Sequence, residues 1–225
     1  LISGKDSMKN DFDDGTVRIS IPPTLLVSAI GKVPDIEQVV TMEFKSAGDH
    51  LFLVSAGALG LAATTYAGNM NWTSSLLPEL NLEQAALLYQ TIFTAMQNNL
   101  IESCHDLSEG GLAVAVSECI IGSNLGAELD AEAVVTAAES GARFHDLLRE
   151  RMDVALFAEG PARLLVSVSP ANVEAWLALW PDQKALASDC KISIVEIGKV
   201  TNSGLRLVDK ARKGELIELD NAKLK

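Results

Sequence analysis

Hydrophobic and polar positions in the first quarter of the chain follow patterns that are typical of β-strands. Residues 16–21 alternate between the two classes with a period of two, and Pro22 and Pro23 interrupt this pattern. Short hydrophobic runs follow at residues 25–30 and 51–55. We therefore predict three strands, of which the third is buried.

A longer segment, residues 82–101, has the spacing of an amphipathic helix, and Asn81 is a suitable N-cap for it. Its hydrophobic residues recur every three or four positions, at positions 82, 85, 86, 89, 92, 93, 96 and 100. We expect this stripe to cover the protein's own sheet rather than to bind a partner. Residues 112–121 predict a second, buried helix that ends at Gly122. Residues 104–109 predict a turn that joins the two helices.

The rest of the chain alternates between single helices and single strands. The predicted elements, in order, are a strand at residues 127–129, an amphipathic segment at 144–148, strands at 154–157 and 163–168, a helix after Pro170, and strands at 192–200, 204–208 and 216–219. This order lacks the regular spacing of a doubly wound sheet. The predicted fold class is therefore α/β (α+β), a mixed sheet with helices on one face.

Composition and charge narrow the classes of partner. Of the 225 residues, 48% are hydrophobic and 21% are charged, which is typical of a globular domain. The formal net charge of −12, without a stripe of Lys and Arg, argues against nucleic acid as a partner. A nucleotide could still bind if a bound cation supplied positive potential, which points to Mg²⁺.

The cysteines and the hydropathy pattern indicate the cellular compartment to expect. Cys104, Cys119 and Cys190 lack the spacing of a disulfide framework or a zinc site, so we expect a reducing cytoplasm. Cys104 beside His105 could suggest a thiol nucleophile, but catalytic pairs are seldom consecutive in sequence. No run of about 18 hydrophobic residues and no signal pattern occurs, so we expect no membrane partner.

The segment best suited to bind a ligand is residues 105–111, a polar loop that leads into the first turn of a helix. Amides at a helix start and flexible glycines suit phosphate, and a neighbouring carboxylate suits Mg²⁺. In this interpretation Asp106 binds the metal and Ser108 contacts phosphate. The alternative is that Ser108 is only an N-cap and Glu109 complements the helix dipole. We assign no catalytic role to His105.

The chain opens with Ser-Gly-Lys-Asp-Ser-Met at residues 3–8, which superficially resembles a phosphate-binding P-loop. That motif requires a second glycine five residues before the Gly-Lys pair, and a chain that starts at Leu1 cannot supply it. The motif so close to Leu1 leads us to expect a fragment from which an upstream domain is missing.

Three segments together resemble a known family: residues 3–8, Leu-Leu-Val-Ser-Ala-Ile-Gly-Lys-Val at 25–33, and His-Asp-Leu-Ser-Glu-Gly-Gly-Leu-Ala-Val-Ala at 105–115. Their order and spacing are similar to those in the second half of the phosphoribosylformylglycinamidine synthases. The third segment recurs across the wider aminoimidazole ribonucleotide synthetase superfamily, and the first narrows the resemblance. The resemblance to this family implies that residues 1–42 are the last strands of a nucleotide-binding N-type domain. Residues 43–225 would then be the companion C-terminal-type α/β domain with a C-terminal extension.

The resemblance also implies an activity. In this family ATP phosphorylates the formamide oxygen of formylglycinamide ribonucleotide, and ammonia from glutamine then displaces phosphate to give the amidine, with Mg²⁺ offsetting charge. The expected cofactors are ATP and Mg²⁺. The expected partners are the remaining synthase domains and a glutaminase domain. Because the family's catalytic histidine and glutaminase triad lie in those parts, we expect the fragment alone to be inactive.

Individual residues carry over where they match the family's motifs. Asp106 matches the magnesium-binding aspartate, and Ser108 matches the ATP-contacting serine. Gly4 and Ser7 match a glycine and a serine associated with nucleotide and substrate. Lys5 stands where smaller members have a metal-binding asparagine, and a cation cannot bind magnesium. Two alternatives stay open: a non-catalytic half whose nucleotide stabilises the fold, and another superfamily member such as aminoimidazole ribonucleotide synthetase, selenophosphate synthetase or a hydrogenase-maturation protein.

Overall fold

The chain forms two compact units, Leu1–Ile36 and Glu37–Lys225. The computed structural model describes residues 11–20, 27–33, 35–139, 144–180, 192–210 and 214–224. The division falls at residue 36, and the domain limit at residue 42 that the family resemblance implies stays a prediction.

The smaller unit contains a short antiparallel ribbon of two strands. Strand β1 (Phe12–Asp13) pairs with β2 (Arg18–Ile19), which lies within the strand predicted at residues 16–21. The strand predicted at residues 25–30 is wrong in its described part, because residues 27–33 have no regular secondary structure. The side chains there are exposed, so burial does not stabilise an extended strand.

The larger unit contains the remaining elements. Its strands are β3 (His50–Ser55), β4 (Gly57–Ala58), β5 (Glu79–Leu80), β6 (Ser103–Asp106), β7 (Gly126–Asp130), β8 (Arg163–Val168), β9 (Ser193–Thr201), β10 (Leu205–Asp209) and β11 (Gly214–Leu219). Its helices are α1 (Thr65–Asn69), α2 (Leu82–Gln97), α3 (Gly111–Ser123), α4 (Ala131–Glu139), α5 (His145–Glu150), α6 (Met152–Phe157), α7 (Val173–Ala178) and α8 (Asn221–Leu224), and a short 3₁₀ helix (Ile36–Gln38) lies at the boundary between the units.

A mixed sheet is the centre of the larger unit. Within the described part of the chain it has seven strands in the order β11-β10-β7-β9-β3-β8-β6. Strands β7 and β10 are parallel, and the other neighbouring pairs are antiparallel. A separate ribbon pairs β4 with β5. The predicted mixed sheet is therefore confirmed.

Helices pack on both faces of the central strands rather than on one face. In β3, Leu51 and Leu53 belong to a core cluster with α3, α4, α5 and α6, while Phe52 and Val54 belong to a second cluster with α2 and α7. Successive side chains of a strand point to opposite faces, so these clusters lie on opposite sides of the sheet. The uninterrupted hydrophobic run at residues 51–54 reflects this burial on both faces.

The predicted start of helix α2 is confirmed, but only part of its predicted hydrophobic stripe is buried. The Asn81 side chain accepts hydrogen bonds from the N–H groups of Glu83 and Gln84, both at 3.0 Å. The helix ends at Gln97, before the predicted limit at residue 101. Its buried side chains are Ala85, Leu88, Ile92 and Ala95. Leu82, Tyr89 and Phe93 are 75%, 51% and 57% exposed, because the sheet contacts only one of two adjacent hydrophobic stripes.

Three further predictions require correction. Residues 103–106 form the edge strand β6, not part of a turn, because they pair with β8. Residues 154–157 belong to α6, since a short hydrophobic run is ambiguous between strand and helix. Helix α3 continues through Gly122, and Asn124 adopts the left-handed conformation after it, with a φ of 60°. The other predicted strands and the helix after Pro170 are confirmed within β3, β7, β8, β9, β10, β11 and α7.

A polar and aromatic cluster fixes α1 against α6. The Tyr66 hydroxyl hydrogen-bonds to Asp153, and its ring stacks on Phe157 with 4.9 Å between ring centroids. The Arg151 guanidinium donates two hydrogen bonds to Asp153, at 2.9 and 2.6 Å, and lies 4.7 Å from the centre of the Trp72 ring. These contacts hold residues 57–80, the excursion between β3 and α2, in place.

None of the helices in the described ranges has both the length and the hydrophobicity that a membrane span requires.

The Asp153 cluster predicts a stability that depends on pH. Hydrogen bonds from Arg151, followed by the one from Tyr66, lower the pKa of Asp153 from 3.8 to about 2. A carboxyl group whose folded-state pKa is lowered contributes stability above pH 3.8, and this contribution is lost as the pH falls towards 2. Asp153→Asn should therefore lower the midpoint of urea denaturation at pH 7 and have a smaller effect at pH 3.

The matched control for this prediction is Asp146→Asn, which changes an exposed carboxylate in α5. Circular dichroism can follow unfolding at both pH values. An effect of Asp153→Asn that is equally large at pH 3 and pH 7 would contradict the assignment.

Candidate functional site

The segment at residues 105–111 leads from the edge of the sheet into α3. Asp106 ends β6, and 71% of its side chain is exposed, so its carboxylate is not directed into the packed interior. His105 is held from two sides, with its Nε2 atom 2.8 Å from Glu118 of α3 and its Nδ1 atom 3.3 Å from Asp106. His105 thus connects the strand to the helix.

An open groove of about 470 Å³ lies beside this loop. Asp106, Ser108 and Glu109 line it from the loop, and Tyr89 lines it from α2. Residues 159–164 complete the lining. The structure thus brings the two site residues predicted in this segment, Asp106 and Ser108, to one concave surface.

The charge of the groove favours a divalent cation over a bare polyphosphate. Asp106, Glu109 and Glu159 all contribute carboxylates to its lining. Arg163 also lines the groove, but it is only 2% exposed, and burial lowers its pKa to about 10. Neither terminal nitrogen of Arg163 has a hydrogen-bond partner among the described residues. Hard cations bind carboxylate oxygens, so the exposed carboxylates of Asp106 and Glu109 are compatible with a divalent cation.

The described residues contain no group of three or more His, Cys, Asp and Glu side chains that could bind a metal ion by themselves. Magnesium in nucleotide sites is commonly bound by one or two carboxylates, with phosphate and water completing the coordination. Asp106 as a single exposed carboxylate is therefore compatible with such a site.

The first amides of α3 already have protein partners. The N–H of Gly110 donates to the Glu159 carboxylate at 3.0 Å, and the N–H of Gly111 donates to the Ser108 carbonyl at 3.1 Å. The amide groups of Gly110 and Gly111 are therefore engaged within the protein, and phosphate binding at the helix start stays a prediction. The Ser108 hydroxyl has no protein partner among the described residues.

Ser108 is not the N-cap of α3. The N-cap is Gly110, with a φ of 80°, and it provides no side chain for capping. The interpretation of Ser108 as only a capping residue is therefore wrong. Its exposed side chain at the groove leaves ligand binding as the role to be tested.

Gly111 is required by packing. Its φ is 63°, and a Cβ atom there would lie 2.6 Å from the Ala158 carbonyl oxygen and 2.9 Å from the Leu156 carbonyl oxygen. The start of α3 consequently approaches the end of α6 more closely than any side chain would permit.

The thiols are not suited to nucleophilic catalysis. Burial raises the pKa of Cys104 to about 12, and burial likewise raises the pKa of Cys119 to about 12. Both side chains are therefore protonated thiols at neutral pH. Cys190, Gly4, Lys5 and Ser7 lie outside the described residues.

Glu159 is the part of the site that sequence reasoning missed. It is 49 residues from Gly110 in the chain, and its own segment carries no motif that distinguishes it from an ordinary surface glutamate. Only the packing of α6 beside α3 brings its carboxylate to the loop.

Comparisons with known proteins extend this description. The family model described as AIR synthase related protein, C-terminal domain, matches residues 46–210. The phosphoribosylformylglycinamidine synthase subunit PurL of Alkaliphilus metalliredigens is 32% identical over 175 residues, which are 77% of this chain and 21% of that protein. The PurL subunit of Nostoc punctiforme is 32% identical over 181 residues, 78% of this chain and 21% of its own length. The chain spans about a fifth of the length of these two relatives. These matches confirm the resemblance found in the sequence.

Solved structures show the same fold. Thermotoga maritima PurL complexed with ATP has a TM-score of 0.60 at 18% identity, covering 84% of this chain and 27% of that chain. The complex of the same protein with FGAR has a TM-score of 0.61 at 19% identity and covers 84% and 30%. The hydrogenase maturation protein HypE of E. coli has a TM-score of 0.51 at 20% identity and covers 81% and 52%. At these identities the likeness concerns the fold alone.

The close contact of Gly111 predicts a large cost for added volume. Gly111→Ala combines a left-handed backbone with a contact of 2.6 Å, so we expect a loss of about 2–4 kcal/mol of unfolding free energy. Urea denaturation measures this loss.

Gly68→Ala is the matched control. Gly68 lies in α1, and a Cβ atom added there would meet no other part of the chain within 4 Å, so the substitution should raise stability by about 0.5–1 kcal/mol or leave it unchanged. Equal losses in the two variants would contradict the packing role of Gly111.

Proposed function

We propose that this chain is part of a phosphoribosylformylglycinamidine synthase. The chain belongs to the family described as AIR synthase related protein, C-terminal domain. The synthase is an ATP-dependent ligase of purine biosynthesis that converts formylglycinamide ribonucleotide, with glutamine as amide donor, into the amidine. The observation that carries a role for this chain is the exposure of Asp106 and Ser108 on one acidic groove.

The chain's contribution is one wall of a magnesium–nucleotide site. The Asp106 carboxylate binds Mg²⁺, and the Ser108 hydroxyl, which lacks a protein partner among the described residues, donates a hydrogen bond to a phosphate oxygen. When bound, Mg²⁺ offsets the negative charge of the transferred phosphoryl group. The acidic lining makes nucleotide binding depend on this cation, since the carboxylates repel free ATP.

The remaining parts of the proposal concern the whole protein. Residues 1–42 end an N-type domain whose Gly4 and Ser7 contribute to nucleotide binding, and residues 43–225 form the C-terminal-type domain. Other synthase domains and a glutaminase domain supply the catalytic histidine and ammonia, so this chain alone is inactive. A cytoplasmic location accords with the three cysteines without a disulfide spacing.

Substitution of the groove residues tests the nucleotide site. Asp106→Asn removes the charge that binds the metal and should weaken the binding of MgATP at least about 10-fold, as expected for loss of a charged contact. Ser108→Ala should weaken binding about 3- to 10-fold through loss of one hydrogen bond. Isothermal titration calorimetry of the chain, and of the full synthase proposed to contain it, measures both.

Asp146→Asn is the control, because it removes an exposed carboxylate on α5. EDTA should abolish binding, and the unfolding midpoint of Asp106→Asn should remain unchanged since the side chain is mostly exposed. Unchanged affinity in Asp106→Asn would refute the site. Loss of stability with turnover per folded molecule intact in Asp106→Ala would instead favour a structural half.

A further inference from the structure

The backbone of Glu159 is fixed by the segment before α1. The N–H of Gly60 donates to the Glu159 carbonyl at 2.8 Å, and the N–H of Glu159 donates to the Gly60 carbonyl at 3.3 Å. A Cβ atom on the adjacent Gly160 would lie 2.7 Å from the Ala58 carbonyl oxygen, so the two segments are in close backbone contact. The side chain of Glu159 therefore starts from a defined point at the groove wall.

One carboxylate oxygen of Glu159 connects two other segments. Its Oε1 atom accepts hydrogen bonds from the N–H of Gly110 at 3.0 Å and from the N–H of Thr65 at 3.2 Å. Gly110 is the N-cap of α3 and has no side chain with which to satisfy the helix start. Glu159 is thus a capping acceptor that is supplied from a distant part of the chain.

This contact fixes the end of the loop that carries Ser108. The other end is fixed where the N–H of Leu107 donates to the Arg163 carbonyl at 3.0 Å. Asp106 lies just before the anchor at Leu107, and Ser108 lies between the anchors at Leu107 and Gly110. The separation of the Asp106 carboxylate and the Ser108 hydroxyl consequently depends on where Gly110 is held.

We infer that Glu159 is a positioning residue for the nucleotide site, holding Ser108 and Asp106 in register through the Gly110 amide. The inference rests on the proposed function, because it assigns Glu159 a role in that same site. Glu159 acts through the length of its side chain. Its negative charge is secondary, since a neutral carbonyl oxygen in the same place can accept both amide hydrogens.

Two substitutions separate length from charge. Glu159→Gln keeps the reach and loses the charge, while Glu159→Asp keeps the charge and is one methylene shorter. We expect Glu159→Gln to bind MgATP within about 3-fold of the unsubstituted chain and Glu159→Asp to bind at least about 10-fold more weakly. Glu150→Asp, an exposed position at the end of α5, is the control and should bind normally.

Hydrogen exchange at the Gly110 amide gives a readout that does not need nucleotide. Protection should persist in Glu159→Gln and fall in Glu159→Asp. Normal binding by Glu159→Asp, or equal weakening in both variants, would overturn the positioning role. If the unsubstituted chain and the full synthase bind no MgATP, the proposed function fails and the positioning role fails with it. Normal protection of Gly110 in Glu159→Asp would refute the length-dependent contact, and the positioning role with it, without bearing on the proposed function.

Discussion

The contact between the start of α3 and the end of α6 is the constraint on which the candidate site depends. Gly111 lies against the backbone carbonyls of Leu156 and Ala158, and the chain then leads directly into Glu159. Glu159 returns to the same helix start by accepting the Gly110 N–H. Because these contacts involve backbone atoms, the placement of the two helices on the sheet determines the position of the loop.

The proposed Mg²⁺ is what would reconcile the acidic groove with the binding of a nucleotide. A protein with a formal charge of −12 repels polyphosphate at long range, and the carboxylates of Asp106, Glu109 and Glu159 strengthen this effect locally. In the proposed site, a bound divalent cation would reverse the local potential. Arg163 adds positive charge at the wall, since a pKa of about 10 leaves its buried guanidinium protonated at neutral pH.

The sheet holds this arrangement by being buried on both faces at its centre. Side chains of β3 alternate between the cluster under α3 and α6 and the cluster under α2 and α7. Edge strand β6 pairs with β8, and this pairing places Asp106 at the groove. The excursion at residues 57–80 is fastened to α6 through Tyr66 and Asp153, which keeps Thr65 within reach of Glu159.

The sequence by itself determined the elements whose signals are local. Hydrophobic runs defined β3 and β8, Asn81 defined the start of α2, and the polar loop before α3 identified Asp106 and Ser108 as candidates. The tertiary structure decided which stripe of α2 is buried, that residues 103–106 pair as a strand, and that Glu159 caps α3. These outcomes depend on contacts between residues far apart in the chain. Local spacing limits the possible faces and turns, but only the packing partner selects among them.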